Sequence, residues 1–109
     1  MGVNRSQLLK GTLDVALLCI IGNDESYGQE VFARLNEAGL PGVADASVYG
    51  ALRRLELDGL LASRLVASNE GAARRYYSLT KSGRAARRDG LQAWQELVAA
   101  MYRLVGSHS

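Results

Sequence analysis

Residues 45–60 read DASVYGALRRLELDGL, and this stretch decides the fold. Wound at 100° per residue, it places Val48, Ala51, Leu52 and Leu55 on one side and Gly50, Arg53, Arg54 and Leu57 on the other, with Ser47 and Tyr49 flanking the outward face. Asp45 is suited to cap the first turn and Gly59 to end the last, so the spacing predicts a helix from Asp45 to about Asp58. One side of that helix needs a core. The other offers a serine, a tyrosine and two arginines.

Upstream lies Gly39-Leu40-Pro41-Gly42-Val43, a breaker-rich connection. Before it, Ser26 and Gln29 fit a capping box, and Val31, Phe32, Leu35 and Ala38 mark one face of a second helix closed by Gly39. A short capped helix, a glycine-containing turn and a helix with a polar free face outline a helix-turn-helix. Further upstream, from Gln7 to Ile21, Leu8, Leu9, Leu13, Ala16, Leu17, Ile20 and Ile21 recur at steps of three and four, predicting a helix buried on more than one side. Gly22 ends it and Asn23-Asp24-Glu25 forms a polar turn. Cys19, the single cysteine, sits in the apolar run Val15–Ile21 and reads as a small core hydrophobe. One cysteine excludes an intrachain disulfide and a cysteine-rich metal site.

Downstream, Leu60–Ser68 and Arg74–Leu79 are strand-like runs joined by Asn69-Glu70-Gly71-Ala72-Ala73, a hairpin in the position of a wing. Alternation turns Leu61, Leu65, Tyr77 and Leu79 inward and leaves Arg64 and Arg74 outward near the loop. Thr80 is placed to cap one long helix running to about Val105. Within it Leu91, Trp94, Val98, Met101 and Val105 keep heptad spacing, with Leu97 and Leu104 beside them. Two heptads are too few for an independent coiled coil, so the seam packs on another helix, in the same subunit or a second one. The expected architecture is mostly α with a small β-hairpin: a winged helix-turn-helix in residues 1–80, then a dimerisation helix and short tail in 81–109.

The composition bounds the function. The chain has 109 residues, 48% of them hydrophobic and 22% charged, which is one ordinary globular domain and too little for a multidomain enzyme. The longest apolar run is far below the roughly 20 residues of a membrane span, and Asp14 interrupts a signal-peptide core, so the expectation is a cytoplasmic protein. The net charge of +2 hides an asymmetry: residues 1–45 carry three bases and six acids, residues 46–109 ten bases and five acids. Eleven of the thirteen bases are arginine, whose fork suits phosphate oxygens and guanine edges. The only histidine, His108, is in the tail, and no two carboxylates are spaced to share a substrate. No catalytic residue and no metal ligand is therefore expected.

At this point the phrases LLKGTLDVALLCIIG, SYGQEVFARL, ASVYGALRRLELDGLL and RRYYSLTKSG, in that order, resemble the PadR family of bacterial transcriptional regulators. The resemblance runs from about Leu8 to Trp94. It rests on Leu9, Gly11 and Leu13, on Tyr27-Gly28, on Tyr49 with Leu52, Arg54, Leu55, Glu56 and Gly59, and on Arg75, Tyr76, Tyr77, Leu79, Thr80 and Gly83. The single tail helix is similar to the short-tailed branch. What the resemblance implies is a winged-helix homodimer, usually a repressor, that binds a roughly palindromic double-stranded operator and releases it when a small planar aromatic effector enters. It also implies a cytoplasmic protein with no metal or organic cofactor, and a tryptophan of the tail helix that stacks on the ligand, matched here by Trp94. Gly50 stands where the family generally has proline.

The expected DNA-contacting residues are Tyr27, Ser47, Tyr49, Arg53, Arg54, Arg64, Arg74 and Arg75. Arg54 has an acid pair as its alternative, and Tyr49 simple packing. The expected effector-binding or dimer-interface residues are Leu13, Leu17, Leu91, Trp94, Val98 and Met101, with Trp94 either an interface anchor or a stacking partner. The competing function is a winged-helix protein-interaction module that no longer binds DNA. Arginines retained on the third helix and the wing weigh against it.

Overall fold

The computed structural model describes residues 11–22, 24–40 and 45–106. The expected helical residues Leu8 and Leu9 and the tail histidine His108 lie outside them. Among the described residues, four helices and a three-stranded antiparallel sheet follow in the order α1 (Leu13–Ile21), β1 (Ser26–Tyr27), α2 (Gly28–Glu37), α3 (Asp45–Leu57), β2 (Leu61–Ser68), β3 (Gly71–Leu79) and α4 (Lys81–Gly106). The sheet order is β1-β3-β2, so the last strand of the wing is its centre.

The core is built from the faces that helical and strand periodicity assign. Leu17, Leu18 and Ile21 of α1, Val31 and Leu35 of α2, Val48, Ala51, Leu52 and Leu55 of α3, and Leu61, Tyr77 and Leu79 of the sheet are all buried. The apolar side of α3 is therefore the expected one. Burial of each such aliphatic side chain contributes about 1.5–3 kcal/mol against the chain entropy lost on folding.

Four local expectations are corrected. The single helix expected from Gln7 to Ile21 is broken at Gly11, whose φ of +89° lies outside the helical region, and α1 begins at Leu13; Gln7 itself lies outside the described residues. The second helix starts one residue later than the Ser26 capping box, because Ser26 and Tyr27 pair with Tyr77 and Tyr76 as a strand. The Tyr27 N–H then donates to the Glu30 carboxylate at 3.1 Å, in place of the pairing expected between Ser26 and Gln29. The wing loop is shorter than five residues, since β3 already begins at Gly71 and pairs with Ser68. Leu65 shares the face of Leu61 but is 61% exposed, because the hairpin runs on beyond the helices that would cover it.

Thr80 ties three elements together. Its hydroxyl donates to the Gly59 carbonyl at 2.7 Å and accepts the Gly83 N–H at 2.9 Å, which makes it the N-cap of α4 as expected. Its own N–H donates to the Leu60 carbonyl at 3.1 Å. Gly83 is buried against the same turn, where a Cβ would run into the Leu60 carbonyl oxygen.

Candidate nucleic-acid interface

The outward face of α3 carries Ser47, Tyr49 and Arg53, all exposed. Tyr49 leans back across the start of α2, where Gly28 leaves room for its ring; a Cβ on Gly28 would collide with the ring edge. The ring is packed on one side and 42% exposed, so packing takes one part of the Tyr49 side chain and leaves the rest open. Arg53 makes no ion pair or hydrogen bond among the described residues. It borders a hollow of about 510 Å³ with Tyr49, Glu56, Leu57, Arg75 and Tyr77. Along its wall the Arg75 guanidinium donates to Ser63 Oγ at 2.9 Å, and that hydroxyl donates to Glu56 Oε2 at 2.6 Å. The acid of the hollow thus has a donor, while Arg75 keeps most of its fork free.

A second hollow, about 380 Å³, lies between the wing and the start of α2 and is lined in part by Tyr27, Tyr49, Arg74 and Arg75. Tyr27, Tyr49, Arg53, Arg74 and Arg75 thus line two hollows along the edge formed by α2, α3 and the wing, while Ser47, exposed on α3, lines neither. The other two expected contacts have acidic partners. Arg54 holds Asp14 at 2.7 and 2.8 Å, and Arg64 holds Glu25 at 2.7 and 2.6 Å, each through two guanidinium nitrogens. Their hydrogen bonds to these carboxylates raise both arginine pKa values, and the Arg64 fork holds the Glu25 carboxyl below its ordinary value.

The far side of the molecule is apolar. Thr12, Val15, Ala16 and Cys19 of the first-helix region, with Leu40 and with Leu91 and Trp94 of α4, line a groove of about 270 Å³. Leu91, Trp94 and Met101 of the expected seam are exposed and Val98 is half-buried. Two placements on α1 differ from expectation. Leu17, expected at this interface, is wholly enclosed in its own subunit's core, and Leu13 packs against that core from its edge. Cys19, expected inside, is exposed in the groove. The spacing explains both: positions 12, 15, 16 and 19 form one helical stripe and 17, 18 and 21 another, and a helix apolar all round does not announce which stripe meets which neighbour. Thr12, Val15, Ala16, Cys19 and Leu40 are the groove residues that sequence reasoning missed.

A helix-turn-helix followed by a two-stranded wing and one long helix defines a winged-helix regulator-like domain. Residues 17–89 match the profile described as the transcriptional regulator PadR-like family, and the chain belongs to that family. It is similar to the crystal structure of a PadR-like transcriptional regulator from Bacillus cereus, with a TM-score of 0.81 and 33% identity over 91% of this chain and 96% of that one. A transcriptional regulator from Streptococcus gives 0.80 and 33% over 90% and 96%. Bacillus subtilis PadR, solved in complex with operator DNA, shares the fold at a TM-score of 0.67 and 24% identity, over 73% of this chain and 46% of that one. Family and neighbours are regulators, not enzymes. Among the described residues no helix is long and apolar enough to cross a membrane, and no cluster of side chains is arranged to hold a metal ion.

Proposed function

We propose that this chain is a cytoplasmic, homodimeric, sequence-specific DNA-binding repressor that needs no cofactor and is relieved by a small planar apolar effector. Residues up to 80 form the reading unit and those from 81 the dimerisation helix. The observation that carries the reading is Arg53: an exposed arginine without an acidic partner, on the outward face of α3, beside Tyr49 and the wing's Arg75. An arginine so placed in a winged domain is directed at base edges or phosphates of the major groove. The operator complex of Bacillus subtilis PadR supports laying this face on DNA.

Dimerisation and the effector rest on the opposite side. Leu91, Trp94, Leu97, Met101 and Leu104 are all more than a third exposed, an apolar row that a second copy would cover. The adjacent groove offers Trp94 as a stacking face. An effector there relieves repression only by favouring a dimer geometry that does not fit the operator.

The test is fluorescence anisotropy of the protein and its Arg53→Ala variant on DNA from its own upstream region and on a scrambled control, across a salt series. Tight, salt-steep binding with a clear gap over the control is expected, weakened by about 1–3 kcal/mol in the variant if Arg53 reads a base. Absence of binding even at low salt would overturn the proposal.

A further inference from the structure

The outer face of the sheet carries an unbroken stack of side chains. Glu25 takes two N–H donors of Arg64. The Arg64 guanidinium lies 6.0 Å from the centre of the Tyr76 ring. Tyr76 meets Tyr27 edge to face, 5.4 Å between centroids and 62° between planes. Over the other side of Tyr27 sits the Arg74 guanidinium, 4.6 Å from the ring centre. Backbone register dictates this order: Tyr27 and Arg64 flank Tyr76 on its two neighbouring strands, and Arg74 is two residues along β3 on the same face. Tyr77, one residue on, points the opposite way into the core.

The two ends of the stack differ in what they leave free. Arg64 commits two of its five N–H groups to a carboxylate. The Arg74 guanidinium lies over the Tyr27 ring, and its N–H groups have no hydrogen bond among the described residues. A cation–π contact places a guanidinium without using its donors, so Arg74 is held over the ring with its whole fork available and Arg64 is not. Because Tyr27 is also the N-cap of α2, the stack fixes the wing relative to the helix-turn-helix.

Resting on the proposed DNA-binding reading, we infer that Glu25, Arg64, Tyr76 and Tyr27 are positioning residues that hold the wing, and that Arg74 alone among the stacked residues touches DNA. Tyr27 and Arg64, expected as contacts, then act through Arg74.

Two measurements on the full chain test this. In amide hydrogen exchange without DNA, Tyr27→Leu should speed exchange across residues 71–79 by about five- to tenfold, while Tyr27→Phe, which keeps the ring and loses the hydroxyl, should match the parent. In anisotropy on the same DNA, Arg74→Gln should lower the salt slope by about one, whereas Arg64→Gln should leave it unchanged. Three results would overturn the inference: unchanged exchange in Tyr27→Leu, Tyr27→Phe behaving like Tyr27→Leu, or a reduced slope in Arg64→Gln. Should the parent protein bind no DNA, the function reading fails, and the exchange measurement still decides whether the stack holds the wing.

Discussion

Arg54 of α3 grips Asp14 of α1 across 40 residues of chain, with both nitrogens of its fork on both oxygens of the carboxylate. The pair joins the helix that faces the proposed reading surface to the helix whose next residue, Val15, lines the apolar groove. It also commits two of the five N–H donors of Arg54 to a carboxylate.

The pair is exposed on both sides, at 53% and 34%, so solvent screens most of its attraction. Arg54→Gln and Asp14→Asn should each lower stability by about 0.2–1 kcal/mol, read from urea midpoints. Arg54→Gln should also leave the salt slope of DNA binding unchanged. A slope reduced by about one would place Arg54 on a phosphate.

Leu52 is fully buried at the centre of α3's apolar face. Truncation to alanine removes packed atoms and leaves a cavity, at a cost of about 2–5 kcal/mol. Leu57→Ala, at the exposed end of the same helix, should change stability by less than about 0.5 kcal/mol. Comparable losses in the two variants would show that the helix is turned differently from the description above.

Two glycines should respond with opposite sign. Gly50 has open space around a built Cβ, so Gly50→Ala should raise stability by about 0.5–1 kcal/mol through helix propensity. At Gly83 the added carbon meets backbone that cannot yield cheaply, and Gly83→Ala should cost about 1–3 kcal/mol. Thermal midpoints moving the same way in both would refute this contrast.

Trp94 is the only tryptophan, and 44% of its surface is exposed in the single chain. Its emission should shift to the blue as protein concentration rises through the proposed dimerisation, and Cys19, open in the same groove, should become slower to react with a thiol reagent. Sedimentation over the same range fixes the oligomeric state. A dimer whose Trp94 emission does not move would place the interface elsewhere.

Acid should loosen the wing. The Arg64 hydrogen bonds lower the Glu25 pKa from its ordinary 4.5, so this contribution is present above that value and is lost as pH falls through the lowered one. Exchange across residues 71–79 should accelerate in that window relative to Glu25→Gln, which has no carboxylate to protonate. Tyr77 gives the alkaline counterpart. Burial raises its phenol above the ordinary 10.0, so its contribution is complete below pH 10.0 and is lost as pH rises through the raised value. Of the five tyrosines, Tyr77 should ionise late in a spectrophotometric titration.

What the sequence disclosed was local. The four buried positions of α3, the Thr80 cap and the opposed tyrosines of β3 follow from periods of 3.6 and 2 and from one side-chain oxygen at a helix start. What stayed hidden was pairing at a distance. A two-residue strand has no period of its own, and Ser26–Tyr27 becomes one only because β3 supplies Tyr76 and Tyr77 beside it. The partners of Arg54 and Arg64 lie 40 and 39 residues away, and an exposed arginine carries no mark of which acid it will find. Leu17 and Cys19 exchanged their expected places for a related reason: apart from Asp14, α1 is apolar all round, so only the packed fold decides which stripe is core.

The knot at Thr80 removes any joint between the end of α3, the root of the wing and the start of α4. The 26-residue α4 is therefore a lever about 39 Å long, fastened rigidly to the reading face. Over that length a tilt of about 5° displaces the far end by about 3 Å, close to one base-pair rise of roughly 3.4 Å. In the proposed dimer, a change too small to alter the fold of either subunit would take two such faces out of step with a double helix.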